Sequence, residues 1–274
     1  MRSRRCCCDD GPMADQSITS PARPATRLVL IRHGESQVTV DRVIGGYRTC
    51  SGLSELGREQ SGRLRDRLSS TGELAGGVLI ASNFIRALET ARIFGPAMGT
   101  AEPFEIAGFG EHDPGPDLDG ATFAAYVEKF GSPNFGGDPH FDVFPGGETV
   151  AAFHLRVGSA LSQVLDEQAG KLIVVSCHGG VVDAIFRQLL RTAPTGIFDL
   201  WTTNTSLTEF VLSSDSAARD QRWRLVRYND AAHLAGLPRA TNQSKDHEAP
   251  STTTSTTTST TTSTTNGTDA DDQA

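Results

Sequence analysis

The chain has no apolar run approaching the ~20 residues that a membrane-spanning helix needs, so a membrane partner is not expected. It also lacks an excess of positive charge. With 33 acidic against 25 basic residues the formal charge is −8, which argues against a nucleic acid or an anionic membrane surface as partner. Cysteine is scarce where it would count: of five in all, only Cys50 and Cys177 lie in the body of the chain. No disulfide framework follows, and a reducing, cytoplasmic location is expected. Arg2, Arg4 and Arg5 resemble the charged start of a signal peptide, but Asp9, Asp10, Gly11 and Pro12 stand where its apolar stretch should be. Residues 1–26 therefore read as a disordered leader, broken by Pro21 and Pro24, and Met13 is an equally good start.

What the chain does have is 37% hydrophobic and 21% charged residues, the balance of a globular protein. The organised part runs from 27 to 236. Beyond it, Ser251–Thr265 is almost pure Ser and Thr, without apolar surface to offset its ordering entropy, so residues 237–274 read as a disordered tail. Within the body, Leu28–Ile31, Val78–Ala81 and Leu172–Val175 are short continuous apolar runs, as expected of strands buried on both faces. Helical spacing follows each of them, at Gly57–Leu68, Phe84–Phe94 and about Gly180–Leu190, and Thr149–Gln168 adds a further helix. Leu207–Leu212 and Trp223–Val226 read as neighbouring strands, and Pro103–Ala107 as a possible short one. This alternation predicts a single α/β domain, a three-layer α/β/α sandwich around a mainly parallel sheet.

Ligands of such sheets bind at the carboxyl ends of the strands, so the residues following each run carry the functional argument. Arg32-His33-Gly34-Glu35-Ser36 follows the first run, Ser82 through Ala87 the second, and Cys177-His178-Gly179-Gly180 the third. Two arginines and two histidines thus gather at one edge, the local positive cluster an acidic protein needs to bind an anion. A neutral imidazole is a good nucleophile near neutral pH. Guanidinium forks match the oxygens of a phosphoryl group, a cationic second histidine adds a charge-assisted bond, and the glycines expose amide N–H groups near helix starts. A proton donor for the leaving oxygen is also needed. Glu111 is the candidate, with Phe109 nearby to desolvate it, and His112 and Asp113 are rivals. Glu148 reads as a helix N-terminal acid or as a partner of the pocket, with the first preferred. Cys177 reads as a buried structural thiol, and Arg58, Arg63, Arg65 and Arg67 as a solvated helix face.

The run Leu30-Ile31-Arg32-His33-Gly34-Glu35-Ser36 resembles the signature of the histidine phosphatase superfamily, in the branch shared with cofactor-dependent phosphoglycerate mutases. Leu53 to Gln60 is similar to that branch's Leu-Thr-x-x-Gly-x-x-Gln segment. Ser82 to Ala91 resembles its second-arginine helix, Pro145 to Glu148 its Gly-Gly-Glu turn, and Val175 to Gly180 its second-histidine turn. The resemblance spans about 27–234. It implies that His33 becomes phosphohistidine, that Arg32, Arg86 and His178 hold the phosphoryl group, and that Glu111 protonates the leaving group. It implies no metal and no organic cofactor. The branch often places an Asn on the phosphate six residues past the nucleophile; here the residue is Thr39, which can still donate a hydrogen bond. The aromatic-acidic pair after the proton donor is blurred to Pro116-Asp117-Leu118-Asp119.

The expected activity is a metal-independent, histidine acid-type phosphatase acting on a small phosphorylated substrate; a homodimer is compatible with this. A mutase is the alternative, although no Lys or Arg lies between Glu111 and Lys129, and Asp113, Asp117 and Asp119 would repel a highly anionic substrate. Phe130, Phe135, Phe141 and Phe144 suggest a partly apolar cap. A catalytically silent phosphate-binding module is a third reading.

Overall fold

The computed structural model describes residues 24–196, 198–212 and 222–241. The expected leader as far as residue 23, and the Ser/Thr-rich tail from residue 242, lie outside the described residues. The organised chain begins and ends slightly outside the expected limits. Thr26 opens the first strand, Ala240 is fully buried, and the Thr241 N–H donates to Glu35 Oε1 at 2.6 Å.

The elements run β1 (Thr26–Arg32), α1 (Gln37–Val40), α2 (Glu55–Thr71), β2 (Val78–Ala81), α3 (Ile85–Phe94), β3 (Phe104–Glu105), α4 (Phe123–Phe130), α5 (Val150–Glu167), β4 (Leu172–Cys177), α6 (Gly179–Leu189), β5 (Leu207–Leu212) and β6 (Trp223–Asp230). They form one six-stranded sheet in the order β3-β2-β4-β1-β5-β6. β3, β2, β4 and β1 are mutually parallel, while β5 runs antiparallel to β1 and β6 antiparallel to β5.

Strand alternation explains why the central strands read as unbroken apolar runs. Leu28, Leu30, Ile173, Val175 and Ile80 point to one face, against Phe153, Val157 and Leu161 of α5 and Val181 and Ile185 of α6. Val29, Ile31, Val174, Leu79 and Ala81 point to the other, against Leu64 and Leu68 of α2 and Leu88 and Phe94 of α3. Both faces are dry, so a polar residue at any of these positions would be buried without a partner. Each fully buried Leu, Ile or Phe contributes about 1.5–3 kcal/mol relative to exposure. The helix α4 was not foreseen: its short amphipathic stretch packs Tyr126 against Leu118, Val143 and Phe144 in a small separate cluster.

The register fixes the functional edge. Arg32 lies opposite Cys177 and Ala81 opposite Ser176, so His33, His178 and Ser82 leave the sheet side by side. The loop after β1 is held by the start of α2. Ser54 caps that helix by accepting the Gly57 N–H at 3.0 Å, and its hydroxyl donates to Glu35 Oε2 at 2.8 Å. Gln60 Oε1 accepts the Glu35 N–H at 2.9 Å. The two backbones lie so close that a Cβ on Gly34 would sit 2.5 Å from the Gly57 carbonyl oxygen, and one on Gly57 would overlap that of Glu35.

Of the four arginines expected to form a solvated face of α2, three do so. Arg67 departs from the expectation. Its side chain is 18% exposed and grips both Asp230 carboxylate oxygens at 3.0 and 2.6 Å, tying α2 to β6.

The Gly57→Ala substitution is expected to cost about 1–3 kcal/mol, since overpacking against backbone cannot be relieved by a side-chain rotation. Urea unfolding of the variant reads this directly; wild-type stability would contradict the close approach.

Candidate active site

Four side chains from three strand ends meet at this edge. His33 is buried (5% exposed), with Nδ1 2.6 Å from the Gly34 carbonyl oxygen. Its Nε2 accepts from Arg86 Nε at 3.1 Å. Together these contacts assign the proton to Nδ1 and leave a lone pair on Nε2. Arg86 enters from the first turn of α3. Its Nη1 approaches the Gly45 carbonyl oxygen at 3.4 Å and the Cys50 sulfur at 3.3 Å, and its guanidinium carbon lies 4.6 Å from the centre of the Phe84 ring. The His178 ring is 5.1 Å from that of His33, nearly edge-on.

His178 Nε2 lies 2.8 Å from the Ser82 hydroxyl, and that hydroxyl already accepts the Phe84 N–H at 3.3 Å. With the Ser82 hydroxyl donating to Nε2, the His178 proton sits on Nδ1. That nitrogen is buried and without a partner, as is Nε of Arg32. Arg32 donates through Nη1 to the Thr202 carbonyl. Two unpartnered buried donors beside a lone-pair nitrogen form a receptacle for an anion whose phosphorus or carbon can be attacked.

Charge reinforces this arrangement. Burial, and after it the guanidiniums of Arg86 and Arg32, hold the His33 imidazole well below its ordinary value of 6.5. The same causes act on His178, burial first and then Arg86, the His33 ring and Arg32. Both rings are thus neutral in the free site, and the cationic second histidine envisaged from the sequence requires a bound anion. Burial lowers Arg32 as well, with the Glu111 carboxylate acting in the opposite sense.

Glu111 reaches the start of α6. Its Oε2 is 3.3 Å from the Gly180 N–H, and a Cβ on Gly180 would stand 2.5 Å from Oε1. Its rivals are held by other contacts. The Asp113 carboxylate accepts the Gly115 N–H at 2.9 Å in a local turn, and the His112 ring packs among Phe135, Phe144 and Phe153. Thr39 is half-buried on α1, its hydroxyl 2.8 Å from that of Ser36. Burial pushes the Cys177 thiol up, in keeping with a structural role.

The preferred reading of Glu148 is corrected. No acid occupies the first turn of α5; instead Glu148 grips Arg156 with both oxygens, at 2.9 and 2.7 Å. Arg156 in turn donates to the carbonyls of Gly108, Gly110 and Glu111 at 3.0, 3.0 and 3.2 Å. The pair clamps the Glu111 loop. Asp119 is likewise engaged by the chain itself. Burial works to raise its carboxyl, but hydrogen bonds from Thr49 and from the amides of Arg48 and Gly46 outweigh this and hold it low. It clips the 46–49 loop rather than facing a substrate. Of the four phenylalanines assigned to the cap, Phe135 and Phe144 line a cavity beside Glu111, Phe130 packs at a tilt against Tyr126, and Phe141 is exposed.

Sequence reasoning did not single out Asn204, whose Nδ2 donates to the His33 carbonyl at 2.8 Å. It also passed over Thr90, which accepts the Gly34 N–H at 3.0 Å and donates to the Arg86 carbonyl at 2.7 Å. Thr90 follows Arg86 by one helical turn, a spacing that could have marked it. Asn204 carries no such signal.

With its imidazole neutral in the fold, His33 resists protonation, so its contribution to stability is complete above 6.5 and is lost as pH falls below that value. An NMR titration of the His33 ring is expected to give a midpoint below 6.5, and Arg86→Gln is expected to raise it. A midpoint at or above the ordinary value would contradict the hydrogen bond from Arg86.

The model of the histidine phosphatase superfamily (branch 1) matches residues 28–231. A phosphoglycerate mutase-like protein 4 of Arabidopsis thaliana is 28% identical over 210 residues, 76% of this chain and 86% of that protein. A metal-independent phosphoserine phosphatase of the same plant is 27% identical over 215 residues, 77% of this chain and 84% of that one. Among solved structures, a mycobacterial glucosyl-3-phosphoglycerate phosphatase in complex with VO3 superposes with a TM-score of 0.61 at 23% identity, covering 74% of this chain and 98% of its own. A phosphoserine phosphatase mutant from Entamoeba histolytica in complex with phosphoserine gives 0.58 at 24%, covering 76% and 99%. The superposed structures share the fold, and the family match covers more than half of the residues: this chain belongs to the histidine phosphatase superfamily, branch 1.

Proposed function

We propose that the protein is a phosphatase that hydrolyses a small phosphomonoester through a phosphohistidine on His33. The observation that carries the reading is the pairing of an unprotonated His33 Nε2 with two unpartnered buried donors, Arg32 Nε and His178 Nδ1. A phosphoryl group entering the cluster takes hydrogen bonds from Arg32, Arg86 and His178 on its non-bridging oxygens. Arg86 Nε–H then turns from the imidazole to an oxygen, which frees the Nε2 lone pair for in-line attack on phosphorus.

As the N–P bond forms, the bond from phosphorus to the ester oxygen breaks. Glu111, which sits against the α6 start, gives its carboxyl proton to that oxygen, so the leaving group departs as a neutral alcohol. Water then attacks the phosphohistidine, its proton passing to the Glu111 carboxylate, and the N–P bond breaks to return phosphate and neutral His33. Each step draws on groups of this chain. The Glu148–Arg156 clamp positions the carboxyl, and Thr39 is held as a peripheral contributor through Ser36. A mutase would need cations for a substrate carboxylate; Arg156 and Arg187, which border the site, are both committed to internal partners. That relation, and the complete His33–Glu111 set, favours hydrolysis over the mutase and over a silent binding module.

The test compares wild type, His33→Ala and Glu111→Gln on an alkyl phosphate and on 4-nitrophenyl phosphate, with and without a chelator. Wild type is expected to release phosphate from both esters irrespective of chelator, and His33→Ala to lose about 10³-fold or more in turnover of both. In kcat/KM, which reports formation of the phosphohistidine and not its shared hydrolysis, Glu111→Gln is expected to lose roughly 10²–10⁴-fold on the alkyl ester and far less on the nitrophenyl ester, whose oxygen leaves without a proton. Wild-type turnover by His33→Ala would overturn the nucleophile; an equal loss of kcat/KM on both esters would overturn the proton donor.

A further inference from the structure

Beside Glu111, Gly179 and Gly180 opens a cavity of about 420 Å³. The proposed reaction, on which the selectivity inferred for this cavity rests, directs the leaving group of a bound ester into it, because Glu111 must reach the departing oxygen. Its volume suits a ring-sized group. Its walls are apolar, built by Ile44, Phe135, Phe144, Val150, Phe153 and Leu200.

The polar groups of this cavity are unevenly supplied. Among its described lining residues the one lysine or arginine is Arg187, and every nitrogen of its fork is engaged. Nε donates to Asp183 Oδ2 at 2.7 Å, Nη1 to the Ala193 carbonyl at 3.2 Å and Nη2 to the Phe198 carbonyl at 2.6 Å. The Phe198 ring covers its face at 4.2 Å. On the far side of Glu111, Arg156 is spent in the same way on Glu148 and three carbonyls. A carboxylate or second phosphate on the leaving group would therefore enter an apolar, acid-bordered cavity and find no free cation.

Acceptors, by contrast, are left over. Asp183 Oδ1 is a buried acceptor with no partner, and the His112 ring nitrogens, one a donor and one an acceptor in the neutral ring, are unpartnered too. Asp199 adds a second carboxylate to the same wall. Burial is the main influence on Asp183, acting against its ion pair with Arg187. Buried acceptors without donors are costly, and a ligand that supplies a donor relieves that cost.

We infer that the cavity selects phosphomonoesters whose leaving group is an uncharged or cationic, largely apolar alcohol ending in a hydrogen-bond donor that meets Asp183, and that it rejects leaving groups carrying a carboxylate or a further phosphate. Phe135 and Phe144 of the cap then embrace the apolar body.

The experiment uses three aryl monophosphates that differ only at the para position: 4-(aminomethyl)phenyl, phenyl and 4-carboxyphenyl phosphate. In the wild type, kcat/KM is expected to fall in that order, with about tenfold or more between the first and last, the effect of one partly screened charge interaction. In Asp183→Asn, which keeps the side-chain shape but uncovers the charge of Arg187, the ratio is expected to collapse toward unity. Equal kcat/KM for the three esters, or a preference for the carboxylate, would overturn the selectivity while leaving the phosphatase reading intact. An unchanged ratio in folded Asp183→Asn would overturn the role of Asp183. Release of phosphate from none of them would overturn the phosphatase reading and the inference with it.

Discussion

The Arg86 Nε–H meets the lone pair of His33 Nε2 at 3.1 Å, and almost every other feature of the functional edge serves that contact or follows from it. It requires β1 and α3 to be in register, which the parallel pairing of β1, β4 and β2 provides. It fixes the tautomer of His33, because the other nitrogen is turned to the Gly34 carbonyl. It also brings a permanent cation against the ring, which together with burial keeps the imidazole neutral. In the proposed reaction a nucleophile and an anion site are thus made by one geometry, and the cation that depresses the ring is the one proposed to receive the phosphoryl group.

The supports of this contact are mostly backbone. Gly34 and Gly57 let the β1 loop and the start of α2 touch, and Ser54, Gln60 and Glu35 lock that approach with hydrogen bonds. Asn204 holds the His33 carbonyl and Thr90 the Gly34 amide. On the other side of the site the Glu148–Arg156 pair does for the Glu111 loop what Ser54 does for the His33 loop. Precision at the reacting atoms here comes from small polar residues that bind main chain, as expected where misplacement by an ångström is costly.

The central strands were legible because burial on both faces forces continuous apolar runs; Val78–Ala81 coincides with β2, and Leu28–Ile31 and Leu172–Val175 fall within β1 and β4. The gathering of Arg32, His33, Arg86 and His178 was legible for a related reason, since parallel strands deliver their carboxyl ends to one edge. What was hidden depends on contacts between residues distant in sequence. Glu148 next to a helix looks like an interaction with its dipole until Arg156 is seen to fold back on it. Asp119 looks like a repulsive acid until the 46–49 loop closes over it, and Arg67 looks solvated until Asp230 arrives from β6. The cap was read by composition alone, which identified its apolar character but not α4, nor which of its phenylalanines face the cavity.

The most direct measurement of the central claim is to quench the enzyme during turnover of a phosphomonoester, without acid, and to map the phosphorylated peptide by mass spectrometry. The account predicts a phosphoryl group on His33 that is labile in acid and stable in base. A phosphoryl group on His178 or on any other residue, or turnover without any phosphoenzyme under conditions that trap phosphohistidine in general, would contradict it.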